Sequence, residues 1–152
     1  LNNREINYQK GIAYYELELY DYAIENFIQY ALDNNDDPMV YYLIGKSFMQ
    51  INDLISAIGA FDKSLSINSQ DYRIQSLIGK CQLKLQNYEE SAKSFRKALK
   101  INPDDPISHY GLGKCYAHLN KKRSMKKELN ILKMLDPILF DSLNFYIIQN
   151  IN

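Results

Sequence analysis

The chain has 152 residues, 46% hydrophobic and 24% charged, with two cysteines and a formal net charge of zero. These values belong to a folded domain; they exclude a disordered chain and a disulfide framework, and the lack of any run of 18 apolar residues excludes a membrane-spanning helix. The zero hides a gradient, because residues 1–71 hold 11 acidic against 4 basic side chains and residues 72–152 hold 7 against 14, a net of −7 followed by +7.

Gly11, Gly45, Gly79 and Gly113 recur at a step of 34 residues, the mark of a repeat array. Apolar residues follow helical periodicity on both sides of a break near Asp53, Asn87 or Asn120, so each copy reads as two helices. The first copy predicts helices over about 3–18 and 21–33. It carries Gly11, Tyr14, Ala23 and Phe27, with Tyr30 where later copies hold a smaller residue. The second opens on Asp37-Pro38, an N-cap acceptor before a proline at the first helical position. It predicts helices over about 38–51 and 54–67, with Tyr41, Ile44, Gly45, Phe48, Ala57 and Phe61 in register and Ser64 and Ser69 late in the copy.

The third copy, with helices over about 72–85 and 88–101, is the most regular: Ile78, Gly79, Tyr88, Ser91, Phe95, Ala98 and Pro103. The fourth, about 106–119 and 122–135, starts on Asp105-Pro106 and keeps Gly113 and Tyr116. Met125 there replaces a small residue and Leu129 replaces the ring, which predicts an altered packing angle. A closing helix over about 138–149 follows Asp136-Pro137 and is strongly apolar through Ile138, Leu139, Phe140, Leu143, Tyr146, Ile147 and Ile148. A glycine inside a helix costs about 1 kcal/mol relative to alanine, so one in every copy implies a neighbour too close for a side chain.

The pattern of glycine, small residue and phenylalanine resembles the tetratricopeptide repeat (TPR) family, whose unit is a 34-residue helix-turn-helix. The resemblance covers nearly the whole chain. It implies an all-α, right-handed α-solenoid of four helical hairpins plus a C-terminal capping helix. The expected organisation is one domain over residues 1–152, with repeats 4–37, 38–71, 72–105 and 106–139 and a closing helix at 138–149. A cap should show a polar outer face, and this one has few polar residues, so it covers the core incompletely or awaits further chain or a second subunit.

Catalytic and cofactor signals are absent from the pattern. Gly45-Lys46-Ser47 looks like the end of a phosphate loop, but Val40 stands where the loop needs glycine, and Gly79-Lys80-Cys81 and Gly113-Lys114-Cys115 repeat it within helices. His109 and His118 are nine apart, outside the i, i+4 spacing of a metal pair. Cys81 and Cys115 fall two residues after a repeat glycine, where Ala13 and Ser47 stand in other copies, and read as buried small residues. No enzyme activity, metal or cofactor is expected. Lys121-Lys122-Arg123 with Lys126-Lys127 reads as a solvated helix face; cations at a helix start are unfavourable, which points to an acidic partner, one candidate being another copy of the chain.

A stripe at i, i+4 and i+8 runs along the first helix of each copy: Tyr8-Ile12-Glu16, Tyr42-Lys46-Gln50, Ser76-Lys80-Lys84 and Tyr110-Lys114-His118. In the family this face lines a concave groove that binds extended peptides or partner helices, with Arg73 and Ile107 one turn further along. The candidate groove residues are therefore Tyr8, Tyr42, Lys46, Arg73, Lys80, Lys84, Tyr110 and Lys114. Tyrosine supplies a rigid ring with a hydrogen-bonding tip and lysine attracts carboxylate, which implies an acidic peptide ligand. The chaperone-tail clamp of some relatives is not present, since Tyr8, Ile12, Leu43, Arg73 and Leu77 occupy its five places.

The function expected is thus a protein-protein interaction module. The alternative is a self-assembling scaffold, through end-to-end charge complementarity or the apolar closing helix. No nucleic-acid partner is expected. The N-terminus, Leu1-Asn2-Asn3-Arg4, lacks a secretory signal and an initiator methionine, so a soluble, processed or excised chain of open compartment is anticipated.

Overall fold

The structure, a computed structural model, describes residues 3–150. Nine helices and no strands are present among the described residues. The chain forms two compact units, Leu1–Gln70 and Asp71–Asn152.

The first unit contains α1 (Asn3–Glu16), α2 (Tyr20–Asp33), α3 (Pro38–Gln50) and α4 (Leu54–Ile67). Each packs against the next in sequence. Its core gathers Ala23, Phe27, Ala31, Val40 and Ile44, with Tyr8, Ile12, Tyr14 and Tyr30 packed on the rim. The second unit contains α5 (Tyr72–Lys84), α6 (Tyr88–Ile101), α7 (Pro106–His118), α8 (Lys122–Leu135) and α9 (Pro137–Asn150). There α5 also touches α7, and α9 touches both α7 and α8. Its core centres on Ala92, Phe95, Leu112, Cys115 and Tyr116.

Capping sets the helix starts. Asp37, Asp71 and Asp105 accept from the backbone N–H of Met39, Arg73 and Ser108, and Asp53 accepts from that of Ser56. Asp136 accepts from both Ile138 and Leu139 at the head of α9. One geometry ends the first helix of every hairpin. Glu18, Asn52, Gln86 and Asn120, again 34 residues apart, have positive φ of 54 to 62°. The N–H of the next residue then reaches five residues back, as in Lys121 to the Tyr116 carbonyl at 2.8 Å, satisfying carbonyls the helix end would leave unpaired. This is why α1 stops at Glu16 rather than the expected 18: the left-handed residue turns the chain.

The glycine register has a direct cause. A Cβ added at Gly11 would sit 2.5 Å from the ring of Phe27, one at Gly45 2.5 Å from Phe61, and one at Gly79 2.9 Å from Phe95. All three rings are fully buried. The close neighbour is thus a ring of the paired helix lying on the glycine, and burying such a side chain contributes roughly 1.5–3 kcal/mol. Phe95 is held from two sides, since Gly111 of α7 also faces it.

Departures from the repeat are compensated locally. Ser64, at the small site, donates to the Pro38 carbonyl at 2.7 Å, and Ser91 donates to the Gly79 carbonyl at 2.7 Å. Ser47, Cys81 and Cys115 are fully buried, as expected of the slot two residues after the glycine, and the Cys115 thiol donates to Ser91 at 3.2 Å. Ala13, in the same slot of α1, is exposed. In the fourth hairpin Leu129 is only half-buried; the space beside Gly113 is filled instead by Leu143 of α9, whose side chain would lie 2.5 Å from an added Cβ.

Candidate protein-interaction groove

In the first unit, Tyr8 on α1 and Tyr42 on α3 are both half-buried. Their rings have a packing role that the stripe alone does not disclose. Tyr8 lies against Phe27 at 6.0 Å and Tyr30 at 5.0 Å, and Tyr42 against Phe61 at 6.3 Å. Burial, then the charge of Asp37, pushes the Tyr8 hydroxyl above its ordinary range. Lys46 is half-buried one turn after Tyr42, while Glu16 and Gln50 at the ends of the rows are exposed.

In the second unit, Lys80 is half-buried and Lys84 exposed on α5, beside a buried Ser76 whose hydroxyl has no hydrogen-bond partner among the described residues. Arg73 is exposed, but its guanidinium grips Asp71 at 2.8 and 3.0 Å, and that hydrogen bond holds the Asp71 carboxyl below the usual range. Arg73 therefore braces the start of α5. An exposed pair of this kind contributes about 0–1 kcal/mol.

The fourth row is the most elaborate. The Lys114 ammonium lies 5.5 Å from the centre of the Tyr110 ring and 4.1 Å from that of Tyr146, which comes from α9. Among the described residues no carboxylate pairs with it, and burial lowers its pKa. His118, one turn on, stacks on Tyr88 with ring centres 4.1 Å apart and shares a short hydrogen bond with the Tyr146 hydroxyl. Burial, then the Lys114 charge, pushes the His118 imidazole down. The sequence pattern places Tyr110, Lys114 and His118 in one row; Tyr88 and Tyr146 were missed, because they come from other helices and share no spacing with that row.

His109 has a different role. Its Nδ1 lies 2.6 Å from a Glu128 carboxylate oxygen and its Nε2 lies 2.8 Å from the Pro103 carbonyl, and both side chains are buried. Facing an ionised carboxylate and a carbonyl, both acceptors, the ring must donate from both nitrogens, which favours the imidazolium. Burial alone would lower the His109 pKa, but the hydrogen bonds to Glu128 and Pro103, together with the charges of Glu128 and Asp105, raise it. The pair ties α7 to α8. No group of three or more His, Cys, Asp or Glu able to hold a metal occurs among the described residues, nor is any helix there long and apolar enough to cross a membrane.

Two family models match the chain, one described as tetratricopeptide repeat over residues 8–72 and one as TPR repeat over residues 82–120, together more than half of its length. The chain belongs to the tetratricopeptide repeat family. Solved structures similar to this TPR chain include MamA residues 41 to the end from Desulfovibrio magneticus RS-1, 18% identical over 90% of this chain and 77% of that one, with a TM-score of 0.84. A crystal structure of MamA is 19% identical over 88% and 80%, TM-score 0.78. The Arabidopsis OM64 TPR domain is 20% identical over 76% and 95%, TM-score 0.70. At such identities the likeness is one of fold, the all-α solenoid of helical hairpins. No curated protein matches the chain by sequence. TPR arrays are protein-interaction folds, and this chain is a module of that general kind.

Proposed function

We propose that the chain recruits a partner by binding an acidic peptide or extended segment along the first helices of its hairpins. Tyr8, Tyr42 and Lys46 serve the first unit, and Arg73, Lys80, Lys84, Tyr110 and Lys114 the second. The observation that carries this reading is Lys114, a half-buried cation between two tyrosine rings with no carboxylate paired with it among the described residues. Desolvating an ammonium is unfavourable, and a ligand carboxylate would offset the cost where cation–π contacts alone do so in part. A fluorescein-labelled hexaglutamate peptide with a free C-terminus is a direct probe. Lys80→Glu should weaken its binding about tenfold, corresponding to about 1.4 kcal/mol, without lowering the melting temperature. Equal affinity in parent and variant would remove the acidic-peptide reading.

Self-association is a second reading, favoured by the charge gradient and by the exposed side chains of α9, where Ile138 is 78% and Phe145 65% exposed. A head-to-tail contact driven by charge would weaken with salt, whereas contact through α9 would not.

A further inference from the structure

Helix α8 begins against two rules of helix stability. Lys121, Lys122, Arg123, Lys126 and Lys127 crowd its N-terminal half, where the dipole disfavours positive charge, and none has an ion-pair partner among the described residues. Its N-cap is Lys121, and no side chain accepts from the first turn, which forgoes about 1 kcal/mol relative to a capped start.

Beside these cations opens a cleft of about 730 Å³. Arg123, Lys126 and Lys127 line one end and Ile131, Met134 and Leu135 the other, with Met134 85% and Leu135 39% exposed. Such a surface fits a segment that alternates carboxylates with apolar side chains. A phosphate backbone fits it less well, because the apolar end offers it nothing.

One such segment lies in this chain. The turn between α1 and α2 reads Glu16-Leu17-Glu18-Leu19-Tyr20-Asp21-Tyr22. Glu16, Glu18 and Asp21 are exposed and form no ion pair among the described residues; Leu17 is 67%, Leu19 44% and Tyr22 56% exposed. We propose that the α8 cleft of one copy receives the α1–α2 turn of a second. This rests on the self-association reading and assigns it a site. The two surfaces differ, so a bound pair still presents one free turn and one free cleft, and the product is an open chain.

Light scattering coupled to size exclusion tests this with two variants, Arg123→Glu/Lys127→Glu in the cleft and Glu16→Gln/Glu18→Gln in the turn. The cleft variant places acids where the helix dipole favours them, so its fold should be at least as stable as the parent's. The parent mass should rise with concentration and fall in high salt, and each variant alone should associate at least tenfold more weakly. An equimolar mixture of the variants retains one intact cleft and one intact turn, and should stop at twice the chain mass. Assembly persisting in either variant, or a mixture that stays at the mass of one chain, would overturn the proposal. A mass fixed at twice the chain in any salt, unchanged in both variants, would overturn the cleft but leave association through α9. A parent that is monomeric throughout would overturn both.

Discussion

The first three hairpins and the fourth share helix lengths and the left-handed residue that ends the first helix, but have different interiors. In the former, Phe27, Phe61 or Phe95 from the second helix lies on the glycine of the first. In the latter, Leu143 arrives from the closing helix to cover Gly113, and the buried His109–Glu128 pair ties the two hairpin helices. The helical hairpin therefore requires a filled space beside the glycine, not a ring from one particular position. The fourth hairpin has become dependent on α9, whereas each of the others carries its filler within itself.

The sharpest way to break this contrast is to remove the fillers. Phe61→Ala should cost about 3–5 kcal/mol in urea denaturation, the range for emptying a buried aromatic site. In the fourth hairpin the large loss should follow Leu143→Ala, about 3 kcal/mol, while Leu129→Ala, at the repeat's own ring position but only half-buried, should cost roughly half as much. The reverse order at Leu129 and Leu143 would mean that α9 does not complete the hairpin.

Next in size is the polar tie. Glu128→Ala leaves a buried imidazolium without its carboxylate, and breaking such a pair costs about 3 kcal/mol or more, whereas His109→Leu/Glu128→Leu together should recover most of the loss. The pair also has a sign in pH. A His109 pKa raised above the ordinary 6.5 contributes stability that is complete below that unfolded value and is lost as pH rises through the folded one. The margin of the parent over the double leucine variant should therefore narrow on the alkaline side. His118, whose pKa is shifted the other way, is present in both proteins and cancels. A margin that widens with pH would show that the fold holds the neutral ring.

The smallest effects separate two glycines within one hairpin. A Cβ at Gly45 meets Phe61 at 2.5 Å, whereas one at Gly59, exposed in α4, meets nothing within 4 Å. Gly45→Ala should lower stability by about 1–3 kcal/mol through overpacking. Gly59→Ala should raise it by up to about 1 kcal/mol through helix propensity. Thermal melts that moved in one direction for both would contradict the ring-on-glycine packing.

What the sequence disclosed follows the same division. The Asp-Pro starts, the glycine step and the phenylalanine register give all nine helices to within about two residues, because capping and periodicity are local. The left-handed turns at Glu18 and Gln86 were not legible, since neither residue advertises positive φ as Asn52 and Asn120 do. The His109–Glu128 pair was not legible either: its members are 19 residues apart on different helices and recur in no other copy. Likewise, the stripe identified Tyr110, Lys114 and His118 through their common helix, whereas the covering Tyr146 is brought by tertiary contact alone.

The fully buried thiols carry a consequence for kinetics. Burial pushes Cys81 up to about 11 and also raises Cys115, so in the closed fold both stay protonated and out of reach of alkylating reagents at neutral pH. Both belong to the second unit, and the first has none. The rate at which the Cys115 thiol, which donates to Ser91 of the same unit, becomes modified is thus a clock for the opening of the second unit, already wound into the native sequence.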